Sequence, residues 1–133
     1  MGGDDRGPTD AGKSHESEQL GMRAETLKGH LDGLLLATLE DGALHGYAII
    51  EALRIRSGGT FDLPSGTVYP ALHRLQRTGL IESSWSTHAG RRRRCYKLTS
   101  AGRRALADER RSWQDFSAAV TGLLDQRAQA APT

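Results

Sequence analysis

The chain has 133 residues, of which 37% are hydrophobic and 26% charged, and its formal net charge is +2. This length fits one domain with tails, and no apolar run approaches the roughly 20 residues that cross a bilayer. Because Cys95 is the single cysteine, no internal disulfide can form. Together these features predict a soluble, cytoplasmic protein that does not bind membranes.

The charge is unevenly distributed along the chain. Residues 1–26 carry six acidic and three basic side chains, whereas residues 54–104 carry eleven basic and two acidic ones. Such a concentration of positive charge indicates a nucleic-acid-binding region.

The N-terminal segment, residues 1–24, is rich in Gly, Asp, Ser and Glu and has almost no large apolar side chains. It cannot bury enough surface to offset the entropy of ordering, so we predict a disordered tail. The sequence leaves open whether translation starts at Met1 or Met22.

Two helices are predicted next. The first spans Leu27 to Leu39 and is largely buried, because its apolar residues recur at helical spacing. That stripe comprises Leu27, Leu31, Leu34, Leu35 and Thr38. The second runs from His45-Gly46 to about Arg56, with Tyr47, Ile50 and Leu53 on its inner face.

A third helix is predicted within "LPSGTVYPALHRLQRTGL", residues 63–80, and covers about residues 65–78. Because proline lacks an amide hydrogen, Pro70 places the helix start at Ser65 to Thr67. Gly79 follows as a stop signal. The predicted core face is Val68, Ala71, Leu72 and Leu75, and the outer face is Thr67, Tyr69, Pro70, His73, Arg74 and Arg77.

A two-stranded hairpin and a last helix follow. The strands are predicted at 81–86 and 94–99, with residues 87–93 as the tip. The helix is capped by Thr99 or Ser100, and its apolar residues follow about two heptads. The stripe exceeds what one small domain can cover, which predicts a homodimer in which the first helix packs against the stripe from the partner subunit. The predicted interface residues are Leu27, Leu31, Leu34 and Leu35 of the first helix and Leu106, Trp113, Phe116, Val120 and Leu123 of the last.

The element order predicts a mostly helical fold with a small β-hairpin: a winged helix-turn-helix over 25–99 and a dimerisation helix over 100–128. A basic hairpin can contact the DNA backbone or a narrow minor groove, while the third helix enters the major groove. The predicted DNA-binding residues are Ser65, Gly66, Thr67, Tyr69, His73, Arg74, Arg77, Arg91, Arg92, Arg93 and Arg94.

Each of these assignments has an alternative. The arginine run can be a solvated loop, Tyr69 a half-buried helix residue and His73 an exposed histidine without a ligand. Trp113 can be a plain core or interface residue, since aromatic side chains dominate interfaces with or without ligands.

Three stretches resemble the PadR family of bacterial transcriptional regulators. They are "LKGHLDGLLLATLEDGALHGYAII", "SGTVYPALHRLQRTGLI" and "GRRRRCYKLTSAGRRAL", and they cover about residues 26–107. The resemblance implies a homodimeric repressor on a two-fold symmetric operator, often released by a small molecule. It places Tyr69 on the helix that reads DNA and Gly90 to Arg94 on the wing. As in the short, multidrug-responsive members of the family, Trp113 would stack on planar effector molecules.

Other functions are less well supported by the sequence. A protein-interaction adaptor that uses the same fold is the alternative, although its basic face would be unusual. No nucleophile–base pair, paired carboxylates or phosphate-binding glycine loop indicates an enzyme. The histidines and Cys95 lack zinc spacing, so no metal or cofactor is predicted, with a metal site between subunits left open.

Overall fold

The computed structural model describes Leu27 and residues 29–125. A boundary between two compact units falls between Leu31 and Asp32. In the first unit, Leu27 is helical and buried, and its carbonyl accepts a hydrogen bond from the His30 amide at 2.7 Å. The predicted tail over 1–24 and the end of the predicted last helix, residues 126–128, lie outside the described residues.

The described residues form helices and one antiparallel sheet in which β3 lies between β1 and β2. The elements are α1 (Leu31–Thr38), β1 (Leu44–His45), α2 (Gly46–Arg56), α3 (Ser65–Arg77), β2 (Ile81–His88), β3 (Arg91–Leu98) and α4 (Ser100–Leu124). This confirms the predicted fold class, a winged helix-turn-helix with a long helix after the wing.

Helix α1 is shorter than predicted. Gly29 and His30 form a turn, so the helix begins at Leu31 instead of Leu27. Glycine is among the least favourable residues in a helix interior, which accounts for the interruption. Leu35 and Leu36 point into the core, and the buried Thr38 hydroxyl donates to the Leu35 carbonyl at 2.7 Å.

Helix α2 has the predicted bounds but a different inner face. Gly46, Ile49 and Leu53 are buried, while Tyr47 is 62% exposed, so its predicted place on the inner face was wrong. The spacing of the buried residues, three and four apart, is that of one helix face. The predicted set included Ile50, which is only half-buried.

Helix α3 begins at Ser65 and buries Val68, Ala71, Leu72 and Leu75, as predicted. It ends in a Schellman motif, in which the Leu80 amide donates to the Leu75 carbonyl and the Gly79 amide to the Gln76 carbonyl. Gly79 adopts φ +81°, a conformation that favours glycine. Pro70 is the sixth residue of the helix, and because proline has no amide hydrogen, the Gly66 carbonyl receives no hydrogen bond from it.

The wing is longer than predicted. Strands β2 and β3 pair from Ile81–Leu98 out to His88–Arg91, and only Ala89 and Gly90 remain in the turn. Both have positive φ, 53° and 76°, as tight two-residue hairpin turns require. The arginine run therefore lies on a strand, and its predicted place in a seven-residue tip was wrong. Strand β1 was not predicted, because two residues carry no readable pattern.

Helix α4 is anchored at its first turns. The Thr99 hydroxyl accepts from the Gly102 amide at 3.0 Å and donates to the Gly79 carbonyl at 2.6 Å, which confirms the predicted cap. Gly102 packs so closely that a Cβ there would overlap the Leu80 carbonyl oxygen. Leu106 is the last buried residue of the helix in the described range.

We predict that Gly102→Ala destabilises the protein, because the added methyl group meets a backbone oxygen that cannot rotate away. The expected loss is about 3 kcal/mol in the free energy of unfolding, measured by urea denaturation at one protein concentration. Gly66→Ala is the matched control, since a Cβ at Gly66 meets nothing within 4 Å. Equal denaturation midpoints for the two variants would contradict the close packing.

Candidate nucleic-acid interface

The outer face of α3 is exposed at every position predicted to contact DNA. These residues are Ser65, Gly66, Thr67, Tyr69, His73, Arg74 and Arg77. No side chain caps the helix, because its N-cap is Pro64. The amides of the first turn carry the positive end of the helix dipole, and this end faces solvent.

Tyr69 does not project freely. Its side chain is 42% exposed, and its ring and hydroxyl lie directly over Gly46, where any Cβ would overlap them. Gly46 is the first residue of α2. The missing side chain at Gly46 therefore lets Tyr69 tie the reading helix to the start of α2, while one side of its ring remains accessible.

Arg74 is already engaged within the chain. Its guanidinium donates to Asp32 of α1 at 2.5 Å, and both side chains are about half exposed. An exposed ion pair of this kind contributes little to stability. Arg74 can therefore exchange the carboxylate for another anion at small cost.

The four arginines of β3 divide between the two faces of the wing. Residue pairs across β2 and β3 place Arg92 and Arg94 on the face of Trp85, and Arg91 and Arg93 on the opposite face. The predicted cluster is therefore two pairs of arginines that face different directions.

Trp85 is a surface residue that the sequence analysis missed. It is 55% exposed, and the guanidinium carbons of Arg92 and Arg94 lie 4.7 and 5.2 Å from its ring centroid. The Arg94 Nε also donates to the Ser83 hydroxyl at 3.1 Å. Cation–π contact at these distances holds both arginines along the strand. An exposed aromatic residue in the polar run "ESSWSTH" was the available signal.

A pocket of about 620 Å³ opens where α2 begins, beside α3 and β3. Its lining residues are His45, Gly46, Tyr47, Tyr69, Arg91, Arg93, Arg94 and Tyr96. Among these described residues there is no carboxylate, so the pocket is strongly electropositive. Burial raises the pKa of the Tyr96 hydroxyl, which keeps it a hydrogen-bond donor at neutral pH.

His45 is the second site residue that the sequence analysis missed. Its Nδ1 accepts from the Ala48 amide at 3.3 Å and so caps α2, while its Nε2 lies 2.8 Å from Arg93 Nη1. Burial, Arg93 and His88 lower its pKa, so the ring is neutral at pH 7. A histidine directly before a glycine-initiated helix carries no specific signal for such a position.

The residues predicted for a dimer interface fall into three groups by exposure. Leu27, Leu35 and Leu106 are buried in the single chain, whereas Leu31, Leu34 and Val120 are half-buried. Trp113 and Phe116 are 49% and 57% exposed, with ring centroids 5.8 Å apart, and Leu123 is more exposed still. The outer part of α4 thus presents an apolar row that the described chain does not cover.

An ion pair joins helix α4 to the turn that follows α1. Arg110 donates to both carboxylate oxygens of Glu40, at 2.5 and 2.8 Å, and these bonds lower the pKa of Glu40. The Glu109 side chain packs against Gly33 on the same side. These contacts set the direction in which the exposed row points.

The described residues include no group of three or more His, Cys, Asp or Glu that could hold a metal ion. Cys95 lies on β3, half-buried, with its sulfur 3.1 Å from the Ser86 hydroxyl. Within the described part of the chain, no helix has the length and apolar character to cross a membrane.

The profile of the transcriptional regulator PadR-like family matches residues 35–108. A transcriptional regulator of Mycobacterium tuberculosis is 39% identical over 82 residues, which are 62% of this chain and 74% of that protein. The matched region contains α2, α3, the wing and the first turns of α4.

Solved structures of the same family superpose on the fold. A PadR-like transcriptional regulator of Bacillus cereus is 33% identical with a TM-score of 0.68, over 75% of this chain and 96% of that chain. A PadR of Bacillus subtilis in complex with operator DNA is 26% identical with a TM-score of 0.55, over 59% and 45% of the two chains. The family profile covers more than half of the sequence, and the chain belongs to the PadR-like family of transcriptional regulators.

Proposed function

We propose that the protein is a homodimeric, DNA-binding repressor that acts on a two-fold symmetric operator in the cytoplasm and is released by a small molecule. The observation that carries the proposal is the surface where α3 begins beside the arginines of β3. That surface is exposed, electropositive and free of carboxylates among the described residues that line its pocket.

Helix α3 is the element proposed to enter the major groove. An α-helix fits this groove, where base edges present distinct patterns of donors and acceptors. In helix-turn-helix proteins, the N-terminal residues of the second helix contact base edges. Ser65, Gly66 and Thr67 occupy this position, and their small side chains allow a close approach of the backbone to DNA.

The wing is proposed to contact the phosphate backbone. Arginine side chains that neutralise phosphates release counterions, and this release drives binding to any duplex sequence. The wing can therefore supply affinity while α3 supplies sequence choice. The Bacillus subtilis PadR, a structural relative, has been solved with operator DNA, which supports the same partner for this chain.

The apolar row on α4 is proposed to form the dimer interface. Trp113, Phe116, Val120 and Leu123 recur at three- and four-residue spacing on one face of α4, beyond its last buried residue, Leu106. A second copy of α4 would cover this row in a two-fold arrangement. Such symmetry would present two copies of α3 to two half-sites of an operator.

The proposed effector site is the surface around Trp113. Its exposed indole and the neighbouring Phe116 ring can stack on a planar molecule held between two subunits. Binding there would change how the two α4 helices meet, and with it the spacing of the two reading helices. Repression follows if the unliganded spacing is the one that fits the operator.

The function is tested by selection of duplexes from a random-sequence pool with the purified full chain. The expected result is a two-fold symmetric motif whose half-sites are about one helical turn apart. A motif without symmetry would refute the dimeric arrangement, and failure to bind any duplex would favour the protein-interaction adaptor instead.

We predict that the double substitution Arg91→Ala, Arg92→Ala makes the plot of log duplex affinity against log salt concentration less steep, by roughly one to two units of slope. The matched control is Arg103→Ala with Arg104→Ala, two exposed arginines on α4 at the far end of β3 from the turn. Fluorescence anisotropy with labelled duplex measures both. A double wing variant with the wild-type slope would show that these arginines do not contact phosphates.

We predict different outcomes for two substitutions at Tyr69. Tyr69→Phe keeps the ring on Gly46, so the melting temperature should stay the same while duplex binding weakens by about 0.5–1.5 kcal/mol for one lost hydrogen bond. Tyr69→Ala uncovers Gly46 and should lower both the melting temperature and the affinity for duplex. A Tyr69→Ala protein with wild-type duplex affinity would remove Tyr69 from the interface.

We predict that Phe116→Glu separates the subunits. Each subunit loses an aromatic contact of about 1.5–3 kcal/mol, so the dissociation constant of the dimer should rise at least about a hundredfold. Sedimentation equilibrium gives the dissociation constant. Ala118→Glu is the control, since Ala118 is exposed on the opposite face of α4. A Phe116→Glu protein that sediments like the wild type would place the interface elsewhere.

A further inference from the structure

Two adjacent residues of α4 contact the winged domain just beyond Leu106, the last buried residue of that helix in the described range. The Glu109 side chain packs against Gly33 of α1. Arg110 donates to both carboxylate oxygens of Glu40, in the turn after α1, at 2.5 and 2.8 Å. The Glu40–Arg110 pair therefore lies between the buried start of α4 and its exposed outer part.

The Glu40–Arg110 pair can break and form again at small cost. The side chains of Arg110 and Glu40 are 49% and 39% exposed, and an exposed ion pair favours the paired form by about fivefold at most. The hydrogen bonds from Arg110 lower the pKa of Glu40, and the charges of Arg56 and Arg103 lower it further. Because these two arginines stay near the carboxylate, Glu40 keeps favourable charges around it when Arg110 moves away.

A small change of angle at this pair becomes a large displacement at the end of α4. The helix continues to Leu124, and from Arg110 to that residue it rises about 21 Å, so a swing of about 10° moves its end by about 4 Å. The exposed row that begins at Trp113 lies on this outer part. One base-pair step of DNA is about 3.4 Å. The angle at the Glu40–Arg110 pair therefore matters on the scale of a single base pair.

We infer that the Glu40–Arg110 pair sets the spacing of the two operator half-sites that the dimer binds, because it fixes the angle between each winged domain and the α4 helix that joins the subunits. This inference rests on the proposed function. It gives a role in operator choice to two residues outside the proposed DNA-binding set. With the pair formed, one spacing fits both copies of α3. With the pair broken, each winged domain samples several angles, so several spacings fit and each binds less tightly.

The residue after Arg110 offers a matched control. Arg110→Gln removes the guanidinium that holds Glu40. Arg111→Gln removes the same charge from a side chain that pairs with Asp108 within α4, so the contact with the winged domain stays in place. Glu40→Gln breaks the ion pair from the other side and keeps the shape of the side chain.

The first experiment measures the affinity of the full chain for three duplexes: the symmetric motif selected from the random pool, and the same motif with one central base pair inserted or removed. Wild-type protein should prefer the selected spacing. Arg110→Gln and Glu40→Gln should each lower this preference by about tenfold, because a dimer has two such pairs. Arg111→Gln should keep the preference. A wild-type preference in Arg110→Gln, or an equal loss in Arg111→Gln, overturns the inference.

The double variant tests whether the two residues act through one contact. In the Glu40→Gln background, Arg110→Gln should lower the spacing preference by less than about twofold further, because both substitutions break the same pair and coupled contacts are not additive. A double variant whose loss equals the product of the two single losses overturns the inference.

A second measurement needs no DNA. Ser65→Cys in a Cys95→Ser background places one spin label at the start of each α3, since Ser65 is exposed and Cys95 is the single native cysteine. Pulsed dipolar spectroscopy should give one narrow distance between the two labels when the Glu40–Arg110 pair is intact, and also in Arg111→Gln. Arg110→Gln should give a broad distribution.

The two ways in which this measurement can fail are distinct. If the labelled protein with the intact pair shows no distance between subunits, the proposed dimer itself is refuted. If Arg110→Gln gives the same narrow distance as the intact pair, the dimer stands and only the role of the Glu40–Arg110 pair is overturned.

Discussion

The close approach of Gly102 to the Leu80 carbonyl fixes the relation between the reading helix, the wing and α4. At this point the Thr99 amide donates to the same carbonyl at 3.1 Å, and the Thr99 hydroxyl bonds to Gly79. The end of α3, both strand ends at the base of the wing and the start of α4 therefore meet at this point. A larger side chain at Gly102 would separate all of them.

The contact of Gly102 with the Leu80 carbonyl explains why short elements can hold a defined surface. The wing extends eight residue pairs from its base, and β1 adds a third strand that brings His45 onto β3. Tyr69 then connects α3 to the start of α2 across Gly46. The arginines of the wing and the first turn of α3 are thus held on one framework instead of on a mobile loop. Binding to DNA would require little reordering of this surface.

The sequence predicted those features whose physical cause is local. The core face of α3, its glycine stop and the Thr99 cap follow from spacing and side-chain chemistry, and all three were confirmed. The prediction for the inner face of α2 was wrong because Tyr47 and Ile49 both fit an apolar stripe. Only packing against the rest of the core selects Ile49. Strand β1, the capping role of His45 and the partners of Trp85 depend on strand register, which joins residues far apart in sequence.

The ion pair between Arg74 and Asp32 has a consequence for the electrostatics of this face. A phosphate that binds Arg74 must first displace a carboxylate of the same protein, so one ion pair is exchanged for another. Such an exchange gains less Coulomb energy than binding to an unpaired arginine does, because the attraction to the carboxylate is lost. The number of basic side chains between residues 54 and 104 therefore overstates the electrostatic drive for binding. Because the pair is exposed, Asp32 competes only weakly with a phosphate for Arg74, and the exchange lowers the gain from that one contact without blocking it.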